Sequence, residues 1–204
     1  MKTEILSASS PQTIPRALEV LRAGGLVAFP TDTVYGVGAL AFDEQAVKSI
    51  YVAKERPVEK AIPVLIGDHI DLSKVAEEVP MVATKLIARF WPGPLTVLVS
   101  KKPSLPVVVS ATSTVGVRVP DHEVARSLLR LAGPMAVTSA NISSQPNPTT
   151  AEEVNQQLGG RIALIIDGGK TPGGVPSTLV DCTGKEIQIL REGPLSTEEL
   201  LKAI

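Results

Sequence analysis

The stretch Pro30-Thr31-Asp32-Thr33-Val34-Tyr35-Gly36 leaves an apolar run at 26–29. It sets two hydroxyls, a carboxylate and a phenol at the end of a strand pattern. Such groups donate and accept hydrogen bonds toward a small polar molecule. Other apolar runs end in a similar way. "MAV" is followed by Thr138-Ser139-Ala140-Asn141, "IALII" by Asp167-Gly168-Gly169-Lys170-Thr171, and "EIQIL" by Arg191; Gly173-Gly174-Val175-Pro176-Ser177 precedes "TLVDC". Each cluster alone is an ordinary turn. Together they point to a ligand site, because ligands of α/β sheets bind where strand-end loops converge.

Cations complete the inventory. In "KERPVEK", Lys54 and Arg56 stand two residues apart before a proline, with Lys60 close behind. Two readings remain open. A rigid loop can hold a polyphosphate between a bidentate Arg and a point-charge Lys. Equally, basic residues at a helix end are favoured by the negative pole of its dipole. Arg118 sits inside the apolar strand pattern "VGVRV", where an unpaired charge is costly. Its partner is an internal Asp or Glu, or a ligand carboxylate, with the ligand slightly favoured.

Other chemistries are excluded. "DGGKTPGG" is not a Walker loop, since Leu164 stands where that motif needs its first glycine. It can still offer backbone N–H groups to an anion, or serve as a flexible flap. No G-x-S-x-G, H-E-x-x-H or G-x-G-x-x-G occurs, and no His lies near Ser139 in sequence. The single cysteine, Cys182, rules out an internal disulfide and a cysteine-rich zinc site, and is expected to face a core. His69 and His122 are expected at the surface or at helix caps. Hydroxyls, an amide and cations suit the holding of phosphates and carboxylates, with little covalent side-chain chemistry.

These groups must be positioned by an alternation of helices and strands. Ile14, Ala17, Leu18 and Leu21 share a helical face closed by Gly24. Asp43 starts a second helix, residues 80–90 form a third that stops at Trp91-Pro92-Gly93-Pro94, and "HEVARSLLRLAG" forms a fourth. Thr150 with Glu153, and Ser196 with Glu199, form capping boxes for two more. Strands are expected at "LVAF", 62–66, 95–100, 115–119, "MAVTS" and 162–166, with a hairpin of "TLVDC" and "EIQIL". The hairpin implies a mixed sheet, and nothing between the elements reads as a linker, so one α/β domain over 1–204 is expected.

Composition agrees with an ordinary globule. Aromatic residues are only 3%, so Val, Leu, Ile and Ala must fill the core. Net charge is −1, and neither half carries a basic excess, which counts against a general nucleic-acid binder. No N-terminal apolar segment resembles a signal peptide, and no run is long enough to cross a membrane, so a cytoplasmic protein is expected.

Taken together, the motifs resemble the YrdC family, the threonylcarbamoyl-AMP synthases. The resemblance rests on "FPTDTVYGVGALAFD" (29–43), "KERP" (54–57), "WPGPLTVLV" (91–99), "VGVRVPDH" (115–122), "TSANISSQPNPTT" (138–150) and "GVPSTLVD" (174–181), in family order over nearly the whole chain. The family's signature is K-x-R followed by S-x-N, here Lys54-Glu55-Arg56 and Ser139-Ala140-Asn141. The resemblance implies a single YrdC-like domain, a twisted mixed sheet flanked by helices around a large cationic cavity. It implies conversion of L-threonine, bicarbonate and ATP to threonylcarbamoyl-AMP and pyrophosphate, for N6-threonylcarbamoyladenosine formation in tRNA.

By the same resemblance, Thr31, Thr33, Arg118 and Ser177 hold L-threonine. Lys54, Arg56 and Lys60 bind the ATP phosphates, and Thr114, Ser139, Asn141, Asn147 and Arg191 line the nucleotide site. Lys54, Arg56, Ser139 and Asn141 form the catalytic set. Mg2+ comes with ATP, with no side-chain metal ligands. The implied partners are a downstream tRNA threonylcarbamoyl transferase complex and possible direct contact with tRNA or double-stranded RNA. Two departures stand out. Leu65 occupies a position that is often polar in the family, and the additional C-terminal domain of longer relatives is not expected in this chain. An RNA-binding module is the alternative reading. A carbamoyl-adenylate step, as in hydrogenase-maturation proteins, lacks the zinc-finger and acylphosphatase-like parts of those long chains.

Overall fold

Strand and helix signals alternate along the chain, and the computed structural model, which describes residues 2–204, turns them into one mixed sheet with helices on both faces. In chain order the elements are β1 (Glu4–Ser7), α1 (Thr13–Arg22), β2 (Val27–Phe29), β3 (Gly36–Leu40), α2 (Glu44–Lys54) and β4 (Val64–Leu65). After a 3-10 segment at His69–Lys74 come α3 (Met81–Phe90), β5 (Leu95–Ser100), β6 (Thr114–Arg118), α4 (Glu123–Ala132) and β7 (Met135–Ser139). The chain continues with α5 (Ala151–Leu158), β8 (Leu164–Asp167), β9 (Thr178–Asp181), β10 (Gln188–Arg191) and α6 (Thr197–Leu201). The sheet order among the described residues is β1-β8-β2-β3-β7-β4-β6-β5-β9-β10. The β9–β10 hairpin expected from sequence is present as an antiparallel pair.

Local chemistry sets the helix ends. Asp43 accepts from the Ala46 N–H at 3.0 Å and starts α2. Ser196 and Glu199 form the expected reciprocal capping box of α6. The box expected at α5 is altered. Thr150 accepts from Glu153 N–H, but the Glu153 carboxylate reaches one residue further, to Thr149 N–H at 2.6 Å. The strand expected at 62–66 narrows to Val64–Leu65.

β1 and β3 escape the sequence reading. β1 is a four-residue edge strand. β3 is interrupted by glycines, and Gly38 is required there: a Cβ on it would lie 2.6 Å from the carbonyl oxygen of Ala136 on β7.

Period-two alternation divides the sheet into two faces. One face buries Ala28, Val64, Val97, Val115, Val117 and Val180 in the core that also contains residues of α2, α3 and α5. The opposite face buries Val27, Phe29, Leu65, Met135, Val137 and Leu164 against α1 and α4. That second helical layer is short. Past Leu65, whose register partner is Arg118, the same face presents Thr114, Gly116 and Arg118 of β6, Thr96 and Leu98 of β5, and Leu179 of β9. The cavity lies over this uncovered half.

The α1/α4 layer therefore bounds the cavity, and its packing is testable. Leu128 of α4 is fully buried among these apolar side chains. Leu128→Ala is expected to lower unfolding free energy by about 2–5 kcal/mol in urea titration, through lost transfer energy and a residual void.

Candidate active site

The cavity has a volume of about 530 Å³, within the usual range for small-molecule sites. Arg56, Lys60, Arg118 and Arg191 line it, and no Asp or Glu does. Burial lowers the pKa of Arg56, Arg118 and Arg191, and the guanidinium of Arg56 lowers that of Arg191 further. Cations gathered this way repel one another until an anion enters.

Of the residues expected at a site, Thr31, Thr33, Arg56, Lys60, Thr114, Arg118, Ser139, Ser177 and Arg191 line this one cavity. Lys54, Asn141 and Asn147 are not among the lining residues. Both readings of Lys54 and Arg56, a joint grip on one anion and a basic helix end, meet a chain that parts the two side chains. Glu55 adopts a left-handed conformation at φ 53° as the C-cap of α2, and the chain turns there. Arg56 lines the cavity, its Nε donating to Lys60 O and its Nη2 to Ala61 O. Lys54 enters the interior, where its Nζ donates to Ser139 O and Asn141 O. Asn147 donates to Gly174 O at 3.3 Å and tethers the glycine-rich loop.

Arg118 has one of the two kinds of partner expected from the sequence, although not the favoured ligand. Its partner is internal: Nη2 donates to Asp32 Oδ1 at 2.5 Å, Nη1 to Thr33 Oγ1 at 3.1 Å and Nε to Gly93 O at 3.0 Å. Asp32 lies 86 residues away in sequence, so no spacing rule could pair the two. Their charges largely cancel, yet Arg118 remains in the cavity wall with N–H hydrogens beyond these three bonds.

The hydroxyl network fixes directions. Thr31 donates its one proton to Val34 O at 2.7 Å. The 3.0 Å contact between the two hydroxyls therefore takes its proton from Thr33. Thr33 also accepts from Arg118, and one lone pair remains on a hydroxyl that lines the cavity. Thr33 is thus an acceptor that suits an amine. On the other wall, Arg191 donates from Nε and Nη2 to Ser177 O at 3.0 and 2.9 Å. The Ser177 hydroxyl meets Thr96 Oγ1 at 2.7 Å.

Tyr35 accounts for the phenol. It is fully buried, donates to Gly169 O at 2.7 Å and accepts from Gly168 N–H at 3.2 Å. Burial pushes its pKa up to about 12, so it stays a neutral latch. Gly173 N–H donates to Thr33 O at 2.9 Å and ties the same glycine-rich loop to the cavity-lining threonine. Cys182 is buried as expected, and burial raises its pKa to about 11, which keeps the thiol protonated. His122 is half-buried and takes the N-cap position of α4, as expected, although its side chain makes no capping hydrogen bond and its Nδ1 has no partner among the described residues.

Sequence reasoning missed Thr96, Ser110, Thr112 and the small floor residue Gly116, all of which line the cavity. A signal existed. Ser110, Thr112 and Thr114 alternate in "SATST", and Thr112 meets both neighbours' hydroxyls at 3.0 and 3.1 Å. Leu65, the departure noted in the sequence, lines the cavity and packs with the α1/α4 core.

The family model for Sua5, YciO and YrdC proteins, described as telomere recombination, matches residues 19–193. The chain belongs to this family. A threonylcarbamoyl-AMP synthase of Pyrococcus abyssi is 47% identical over 186 residues, covering 90% of this chain and 55% of the relative. The Bacillus subtilis protein of the same name is 44% identical, covering 97% of this chain and 58% of the relative. This Sua5/YciO/YrdC chain thus spans a little over half the length of those two curated relatives. A putative synthase of Mycobacterium tuberculosis is 42% identical with 99% and 95% coverage. The crystal structure of P. abyssi Sua5 complexed with L-threonine superposes with a TM-score of 0.95 at 43% identity, covering all of this chain and 61% of that one. Escherichia coli YciO superposes with a TM-score of 0.86 at 28% identity, with 98% coverage of both chains.

The Arg118–Asp32 pair, its arginine buried and its aspartate partly exposed, makes a direct prediction. Asp32→Asn keeps the shape but leaves the Arg118 charge without its counter-ion. It is expected to cost about 3–5 kcal/mol of stability in denaturant titration. A change below about 0.5 kcal/mol, the usual effect of a surface substitution, would show that the pair is not the anchor of this wall.

Proposed function

We propose that this Sua5/YciO/YrdC chain is an L-threonylcarbamoyladenylate synthase, with residues 1–204 acting as one YrdC-like domain. The observation that carries the reading is the cation set: four basic side chains and no acidic one line a single cavity. Support comes from relatives that bear the synthase name and from the L-threonine complex of the similar P. abyssi Sua5.

The chemistry asks for such a site. The threonine amine condenses with bicarbonate, forming an N–C bond and releasing water. The new carboxylate oxygen then attacks the α-phosphorus of ATP, and the bond to the β-phosphate oxygen breaks to release pyrophosphate. Both reactants are anions, so the barrier falls when fixed cations and donors offset their repulsion and hold them in line. In this reading Arg118 directs its remaining N–H hydrogens to the threonine carboxylate, and Thr33 accepts from the amine. Thr31 and Ser177 bound that subsite. Arg56, Lys60 and Arg191 take the phosphates, and Thr114 and Ser139 line the nucleotide. Asn141 and Asn147 act on the same half from outside the lining.

Mg2+ belongs to the proposal only as the nucleotide's companion. The lining supplies no carboxylate, and no group of three or more His, Cys, Asp or Glu is placed to hold a metal ion among the described residues. Phosphate oxygens and water are then its ligands. The product is passed to a tRNA threonylcarbamoyl transferase complex, with direct tRNA contact as part of the same proposal. A cytoplasmic setting also belongs to it; among the described residues no helix is long and apolar enough to cross a membrane. The RNA-binding alternative is not favoured, since the similar relatives are named as synthases.

The test is pyrophosphate release from ATP, Mg2+ and bicarbonate with and without L-threonine. Threonine-dependent release is expected, reduced at least about 100-fold by Arg56→Ala, on the scale of losing one transition-state donor. Ser139→Ala is expected to reduce it as well. Threonine-independent release, or none from folded protein, would sink the reading.

A further inference from the structure

Lys54 is 1% exposed and forms no ion pair with a carboxylate among the described residues. Its Nζ donates to Ser139 O at 2.5 Å and to Asn141 O, while its own carbonyl accepts from Ser143 N–H at 2.8 Å. One residue therefore holds the end of β7 and the turn after it at three points. The charged groups on the packed elements are few. Arg56 follows on the same loop, Glu55 is engaged by Arg161 at 2.7 Å, and residues 139–151 contain no charge. Asn141 is engaged through its amide N–H groups, while its buried Oδ1 has no partner among the described residues. Its Nδ2 donates to Ile142 O and Gln145 O, each at 2.8 Å, within its own turn.

We propose that the K-x-R and S-x-N signature is divided by role: Lys54 and Asn141 are positioning residues that build the turn behind the wall, and Arg56 and Ser139 meet the ligand. The inference deepens the nucleotide reading above and rests on it. Two donors suffice for the two carbonyls, and an uncharged amine still has two. Burial, and next the Arg56 charge, bring the Lys54 pKa down to about 7, so the clamp does not depend on keeping the third proton. A phosphate-binding lysine needs the opposite, a side chain that reaches the cavity with its charge intact.

The experiment is equilibrium binding of AMP, ADP and ATP to the 204-residue chain, with folding checked by thermal melt. Lys54→Met is expected to weaken all three nucleotides by a similar factor, about tenfold or 1.4 kcal/mol, because the Ser139 wall is displaced. Arg56→Met is expected to weaken ATP most and AMP least, since it removes a charge that meets phosphates. Preferential loss of ATP in Lys54→Met would overturn the inference.

Lysine methylation with formaldehyde and borohydride, read by mass spectrometry, tests the unaltered chain in case Lys54→Met does not fold. Lys54 is expected to stay unmodified with and without ATP, and Lys60 to be modified freely and protected by ATP. Methylation of Lys54 in the free chain, with protection by ATP, would defeat the inference alone. Failure of the wild-type chain to bind any nucleotide would defeat the nucleotide reading instead.

Discussion

A guanidinium buried at the end of a sheet strand is costly unless it finds a counter-charge. Arg118 is that group, and Asp32 is its answer. To reach it, the chain leaving β2 folds back across the end of β6. That path brings Thr33 against Arg118 and sends Tyr35 inward to hold Gly168 and Gly169. The same short stretch supplies the carbonyl that fixes Gly173. One ion pair thus orders a wall of the cavity and the loop beside it.

The remaining cations are arranged differently. Arg56, Lys60 and Arg191 stand around the cavity with no acidic residue in its lining. Neutral carbonyls hold the two arginines: Ser177 O takes Arg191, and the carbonyls of Lys60 and Ala61 take Arg56. Carbonyl acceptors orient a guanidinium without cancelling its charge, so the positive potential is kept for a ligand. Arg118, neutralised by Asp32, and Arg56, left with its charge, are two solutions to the burial of one residue type. They differ because one must anchor the fold as well as face the cavity.

The helical layers explain why a cavity exists at this place. α1 and α4 cover only one half of their sheet face. Over the other half, side chains that would be apolar beneath a helix are Thr96, Thr114, Gly116 and Arg118. Gly116 keeps the floor low between Thr96 and Leu179. The pattern of a half-covered strand is therefore present in the sequence at β5 and β6, one face aliphatic and the other mixed.

Helices, most of the strands and nine of the residues that line the cavity were legible in the sequence, while Thr96, Ser110, Thr112 and Gly116 of the lining were not. Those signals are local: apolar spacing, Asp43 and Ser196 at caps, proline stops and polar clusters at strand ends. The glycine-broken β3 and the four-residue β1 were hidden because neither carries a local alternation that stands out from loop. Partnerships were decided only by the tertiary structure. Arg118 with Asp32, Lys54 with the Ser139 and Asn141 carbonyls, and Asn147 with Gly174 all join residues distant in sequence. A side chain's type states what it can bond. Which partner it reaches depends on sheet order and on a single left-handed residue, Glu55, that separates a lysine from the arginine two places on.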